Sequence, residues 1–106
     1  SANPVKYQPA GFLLTDIDYK TGKISHIACD FRHLSEDMLQ IEYPGGYILD
    51  LGWYGSSNGY MIHIIKNKNW ETPVKKIYAG YYSLKEILEN AVNFITSLPI
   101  ENKIKN

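Results

Sequence analysis

The chain has 106 residues, of which 44% are hydrophobic and 21% are charged, and its formal net charge at pH 7 is zero. This composition is typical of a single soluble globular domain, and the sequence pI of about 6.8 argues against a dedicated nucleic-acid-binding protein. Apolar runs of only a few residues exclude a transmembrane helix, and the single cysteine, Cys29, excludes an internal disulfide.

The zero net charge hides an asymmetry between the two halves of the chain. Residues 1–50 hold seven of the eleven acidic residues and four of the eleven basic ones, and residues 51–106 hold the reverse. Such an asymmetry suggests a charged partner. The lone cysteine and the lack of a visible signal peptide predict a cytoplasmic location, although a leader removed before Ser1 stays open. We expect one domain over residues 1–106, with residues 1–10 and 100–106 poorly ordered.

The first predicted element is a β-hairpin over residues 12–31. Residues 12–19 are rich in β-forming side chains, residues 20–23 supply a glycine for the turn, and residues 24–31 return as a second strand. Asp16 and Asp18 would then share one face of the first strand. Cys29 would lie with Ile27 and Phe31 on an apolar face, where a cysteine usually acts as a small buried hydrophobic side chain.

Four further strands are predicted, at residues 38–43, 47–53, 60–66 and 74–82. A helical turn beginning at Ser35 is the alternative for the first of them. Turns are expected at residues 44–46, 55–59 and 67–69, where glycine, proline and asparagine concentrate. In residues 47–53 an apolar face alternates with a second face that holds Asp50; the apolar face consists of Tyr47, Leu49, Leu51 and Trp53.

The clearest element is a helix that begins after Ser83 and is ended by Pro99. Ser83 and Glu86 match the S-x-x-E capping box, and an apolar stripe recurs with helical spacing. The stripe comprises Leu84, Ile87, Leu88, Ala91, Val92, Ile95 and Leu98, whereas Lys85, Glu89, Asn90, Asn93 and Thr96 cover the solvent side. The fold class is therefore α+β, with an antiparallel β-sheet of about five to six strands packed against one C-terminal amphipathic α-helix.

Catalytic and metal-binding chemistry has weak support in the sequence. His26, His33 and His63 could serve a ribonuclease-type mechanism, but no motif supports a pairing of them, and such histidines are more often partly buried strand residues. Asp16 and Asp18 with Asp30 or His26 could gather metal ligands, yet two aspartates two positions apart on a strand usually form one solvated face. We therefore expect no cofactor and no metal.

Aromatic side chains are the more suggestive feature. The chain has nine tyrosines and two tryptophans, and several of them lie around the loops. Tyrosine and tryptophan are preferred at protein interfaces, but tyrosine-rich strands also half-bury their rings, and the two interpretations weigh about equally. The loop from Tyr54 to Tyr60 and the face opposite the Tyr47–Trp53 stripe are the better interface candidates.

Two segments carry a family resemblance. The stretch GYILDLGWY at residues 46–54 and the stretch YYSLKEI with AVNFI and LP at residues 81–99 resemble small immunity proteins of bacterial contact-dependent growth inhibition and polymorphic-toxin systems. The resemblance covers residues 46–99 and implies a cytoplasmic, non-enzymatic antitoxin. Such a protein binds one cognate toxin domain, commonly a nuclease, and blocks its active site or substrate groove.

The residues expected to bind the toxin follow from that implication. A nuclease presents a basic groove, and carboxylates and aromatic rings of an inhibitor can bind to it. Electrostatic contacts are assigned to Asp16, Asp18, Asp30 and Asp50, and interface anchors to Trp53, Tyr54 and Tyr60. We expect no direct binding of nucleic acid or membrane, and the oligomeric state is left open. The alternatives are a small ribonuclease toxin that uses histidines, and a ligand-binding or oligomeric α+β module.

Reversing the charge of Asp16 and Asp18 together is expected to weaken toxin binding more than truncating Lys103 and Lys105, because the acidic pair faces a basic partner. Titration calorimetry with the two purified domains measures both losses. Equal losses would show that the placement of charge is irrelevant.

Overall fold

The computed structural model describes residues 14–27, 38–54, 59–80 and 82–100. Within them lies one antiparallel sheet and one C-terminal helix, which confirms the predicted α+β class. The strands are β1 (Lys23–Ile27), β2 (Leu39–Tyr43), β3 (Tyr47–Tyr54), β4 (Gly59–Lys66) and β5 (Lys75–Ala79), and the helix is α1 (Leu84–Thr96). A short 3₁₀ helix, Leu14–Asp16, precedes β1.

The sheet is a meander in which each strand pairs antiparallel with the next, in the order β1-β2-β3-β4-β5. The turn between β2 and β3 needs two residues with positive φ, and Gly45 and Gly46 supply them at 91° and 81°. The Asn67 N–H donates to the Gly46 carbonyl at 2.8 Å, so the turn that follows β4 is tied to this one. The predicted turns at residues 44–46 and 67–69 are confirmed.

Strand register divides the side chains between two faces. The helix face is the one that α1 covers, and its buried residues include Ile41, Leu49, Leu51, Ile62 and Ile64, all 0% exposed. The outer face holds the alternate positions: Gln40, Glu42, Ile48, Asp50, Met61, His63, Ile65, Lys76 and Tyr78. Parts of the outer face are buried as well, since Ile65 is 0% exposed and Met61 only 7%.

Helix α1 packs its predicted apolar stripe into the helix face. Leu84, Leu88, Ala91, Val92 and Ile95 are buried, and the five residues predicted for the solvent side are all exposed. At its C-terminal end the Tyr47 hydroxyl donates to the Pro99 carbonyl at 2.9 Å, which ties the end of the helix to the sheet. In the described part of the chain, no helix has the length and apolar character needed to span a membrane.

The predicted capping box is wrong. No side-chain hydrogen bond caps α1 at Ser83. The Ser83 hydroxyl instead accepts the Gly80 N–H at 3.1 Å, in a turn that leads from β5 into the helix. The Ser83 carbonyl still accepts the first helical N–H, from Ile87 at 2.9 Å. The Ser83 side chain therefore stabilises the turn before the helix. It does not accept a hydrogen bond from the unpaired backbone N–H groups of the first helical turn.

The predicted hairpin over residues 12–31 is wrong in the described part of its first strand, whereas the described part of its second strand is confirmed as β1. Residues 14–22 form no strand, and β1 pairs with β2 instead. Leu14 and Ile17 lie three residues apart, so a 3₁₀ turn directs both into the core, where Tyr19 joins them. The Tyr19 hydroxyl closes this unit by donating to the Leu14 carbonyl at 2.6 Å.

Several other expectations fall outside the described residues. They concern the order of residues 1–10 and 101–106, the environment of Cys29 and Phe31, the alternative helical turn beginning at Ser35, and the turn at residues 55–58.

The close approach of residues 14–22 to the sheet gives a stability prediction. A Cβ on Gly22 would lie 2.5 Å from both Ile41 Cγ2 and Tyr43 Cζ, whereas a Cβ on Gly80 would meet only the Ser83 hydroxyl at 3.7 Å. Gly22→Ala should therefore lower the free energy of unfolding by roughly 1–3 kcal/mol, as overpacking does. Gly80→Ala should stay within about 1 kcal/mol of the parent chain.

Urea denaturation of the two variants measures this difference. A Gly22→Ala variant as stable as Gly80→Ala would contradict the packing of residues 14–22 against β2.

Candidate protein-binding surface

An acidic cleft opens between residues 14–22 and α1. It has a volume of about 210 Å³ and is lined by Asp18, Lys20, Glu89, Val92 and Asn93. Asp18 precedes β1 and Glu89 lies in the middle of α1, so the tertiary structure brings together two carboxylates that are far apart in the sequence. Glu89 is absent from the residues that the sequence indicated for binding.

The local geometry orients the Asp18 carboxylate. Its Oδ1 atom accepts the backbone N–H of Lys20 at 2.9 Å, in a turn where Lys20 adopts a positive φ of 59°. The side chain of Asp18 stays exposed. One oxygen of the carboxylate is thus held by a hydrogen bond, while the exposed side chain presents its negative charge to solvent.

The second carboxylate of the cleft has a weakly held partner. Glu89 Oε2 lies 3.4 Å from Lys85 Nζ, and both side chains are 48% exposed. Such a solvent-exposed pair contributes little to stability. Asp16 and Glu86, two and three positions before Asp18 and Glu89 in the sequence, are exposed as well.

Asp50 lies on the outer face and is not available at the surface. It is 4% exposed on the central strand β3. Gln40 Nε2 donates to Asp50 Oδ1 at 3.1 Å, and His63 Nδ1 lies 3.8 Å from Asp50 Oδ2. The neighbouring strands β2 and β4 supply these polar side chains. The expectation that Asp50 offers an exposed contact is therefore corrected, although Glu42, Lys76 and Tyr78 on the same face are exposed.

Register places Asp50 in the middle of a polar row that crosses the sheet. His26 on β1 pairs with Gln40, which pairs with Asp50, which pairs with His63, which pairs with Lys76. His26 and His63 are three strands apart, or about 14 Å between backbones at the usual strand spacing. That separation does not favour their joint action on one phosphodiester.

The aromatic anchors expected near the β3–β4 connection differ in how far they are buried. Tyr60 is 2% exposed and belongs to the core, so it is corrected from a surface anchor to a buried one. Trp53 is partly buried and packs edge-to-face on Tyr60, with ring centroids 5.1 Å apart. The side chain of Tyr54 and the whole of Asp30 fall outside the described residues.

A second cavity, of about 230 Å³, lies at the C-terminal end of α1. Its lining includes Lys20, Tyr43, Ile95, Leu98 and Ile100. Burial, with a smaller contribution from Asp18, raises the pKa of Tyr43 to about 12. The Tyr43 hydroxyl is buried without a hydrogen-bond partner among the described residues. Tyr43 is therefore a neutral phenol at physiological pH.

Metal-ligand geometry is not found in the part of the chain that the structure describes, where no group of three or more His, Cys, Asp or Glu side chains could hold an ion. The suggested set of Asp16 and Asp18 with Asp30 or His26 is only partly covered by this finding, because Asp30 lies outside the described residues.

The environment of His63 gives a pH prediction. Burial, and then the nearby charge of Lys76, lower the pKa of His63 below its usual value. The unfolded chain therefore binds a proton more readily than the folded chain as the pH falls through about 6.5. The free energy of unfolding should decrease over that range, and His63→Gln should make the decrease shallower.

Denaturation midpoints at a series of pH values test this dependence. Lys76→Gln should flatten the curve in part, and Lys85→Gln, on the far side of the molecule, should leave it unchanged. An unaltered slope in His63→Gln would contradict the assignment.

Comparison of the chain with protein-family models, with curated proteins and with solved structures finds no match. The surface geometry and the residues themselves are therefore the basis for a functional proposal.

Proposed function

We propose that the protein is an immunity protein that binds and neutralises a cognate toxin domain, a nuclease with a basic substrate groove. The observation that carries this proposal is the acidic cleft, where Asp18 and Glu89 from separate elements line one opening. The resemblance of residues 46–99 to immunity proteins of contact-dependent growth inhibition systems supports the same function.

The chemistry of the cleft suits a lysine- or arginine-rich surface. Carboxylates at its rim attract a basic partner over a distance and raise the association rate. Val92 and Asn93 line the cleft beside them, so an inserted side chain would meet both an apolar contact and an amide. A long basic side chain of the toxin has this combination of apolar stem and charged end.

The proposed contact set differs from the one that the sequence indicated. Asp16 and Asp18 stay in it because both are exposed, and Glu86 and Glu89 join them from α1. Buried Asp50 and Tyr60 leave it. Inhibition would be stoichiometric and non-enzymatic, and we place it in the cytoplasm because a nuclease toxin meets its substrate there.

Charge-neutralising substitutions in the cleft test the proposal. Asp18→Asn keeps an oxygen that can accept the Lys20 N–H, and Glu89→Gln keeps the size of the side chain, so both remove charge with little change of shape. Together they should weaken binding of a cognate toxin domain by at least about tenfold, with a shallower salt dependence.

Titration calorimetry at two salt concentrations measures the effect, and Glu42→Gln is the matched control because Glu42 is exposed on the opposite face of the sheet. Equal affinity of the double variant and the control would remove the cleft from the interface. Failure of every candidate toxin domain to bind would overturn the function itself.

Expression in bacteria separates this proposal from the ribonuclease alternative. An immunity protein is harmless and rescues cells that produce the toxin, whereas a ribonuclease toxin arrests growth by itself.

A further inference from the structure

β5 is one of the two edge strands of the sheet, and β1 is the other. Among the described residues β5 pairs with β4 alone, so its other edge carries backbone groups without a neighbouring strand there. Lys75, Lys76 and Tyr78 are exposed, Tyr78 to 61%. An edge of this kind is a template for the addition of another strand.

The two lysines restrict which strand can be added. Lysine on an edge strand discourages pairing, because a second strand of the same kind can bring like charges together. In a two-fold antiparallel pairing of β5 with itself, a residue at the centre lies opposite its own copy. A centre at Lys75 or at Lys76 is therefore unfavourable.

A centre at Ile77 avoids this repulsion. It places Lys76 opposite Tyr78 of the second copy and Lys75 opposite Ala79 of the second copy, with all five residues of β5 paired. The Lys76 ammonium then meets an exposed aromatic ring rather than another lysine, while the Lys75 ammonium lies over the Phe94 ring of its own chain, 5.1 Å from the ring centre. The contact between Lys76 and Tyr78 occurs twice and has the composition of a cation–π pair.

The overall charge of the chain also permits self-association. Eleven basic and eleven acidic residues give a formal net charge of zero, so two copies do not repel each other at long range. The strand is short, and pairing across the edge extends the same antiparallel pattern that runs through the whole meander.

We propose that the protein forms a symmetric homodimer in which the β5 strands of two copies pair antiparallel around Ile77 and join their sheets into one. This proposal goes beyond the toxin-binding function and does not use the acidic cleft, so either can fail without the other.

Oligomeric state in solution tests the proposal. Sedimentation velocity of the full chain over a wide concentration range should show a dimer that dissociates on dilution. Tyr78→Lys puts a lysine opposite Lys76 of the second copy and should raise the dimer dissociation constant by at least about tenfold. Tyr78→Glu puts opposite charges face to face and should keep the dimer or tighten it.

The same variants separate this register from its main competitor. A centre at Tyr78 would place that position opposite itself, and both substitutions would then weaken the dimer by self-repulsion. With the centre at Ile77, the double variant Lys76→Glu/Tyr78→Lys should recover the dimer that Tyr78→Lys loses.

Asn90→Lys and Asn90→Glu are the matched controls, since Asn90 is exposed on the solvent side of α1 and should not affect association. Circular dichroism verifies that every variant is folded. A monomer at all concentrations overturns the proposal, even if a toxin strand binds the same edge, and so does equal weakening by Tyr78→Lys and Tyr78→Glu.

Discussion

Covering the helix face of β3 and β4 is the constraint on which the rest of the structure depends. Leu49, Leu51, Ile62 and Ile64 would expose a continuous apolar surface if the sheet stood alone, and burying each such side chain is worth about 1.5–3 kcal/mol. One helix of thirteen residues covers only part of a five-stranded sheet. Residues 14–22 cover a further part, with Leu14, Ile17 and Tyr19 packed into the same core.

The acidic cleft is a consequence of this two-part cover. Residues 14–22 and α1 pack side by side on the sheet. The cleft between them is lined mainly by polar residues of the two elements that are not buried in the core. Asp18 comes from one side and Glu89 from the other. A surface built in this way depends on the packing beneath it, because a shift of residues 14–22 relative to α1 would change the distance between the two carboxylates.

The outer face differs from the helix face, since it holds buried Asp50 between partly buried Gln40 and His63. A carboxylate 4% exposed is tolerated only when hydrogen bonds or charges compensate it, and Gln40 donates to Asp50 while His63 lies nearby. The polar row across five strands therefore reads as a structural feature of the sheet. The row ends at exposed Lys76 on the β5 edge, whereas the acidic cleft lies on the side of the sheet that α1 covers.

Local pattern determined most of the secondary structure: the period-two alternation of β3, the glycine turn before it and the apolar stripe of α1 were all evident in the sequence. These features depend on residues that are close together in the chain, so they can be predicted from the sequence alone. Tertiary structure alone decided that residues 14–22 turn in a 3₁₀ helix, that β1 pairs with β2, that Ser83 binds Gly80 instead of capping α1, and that Asp50 and Tyr60 are buried. It also placed Glu89 beside Asp18. Each of these outcomes depends on which elements, distant in the sequence, pack together. The need to cover the apolar face of the sheet decides that packing, and the spacing of residues within one segment does not encode it.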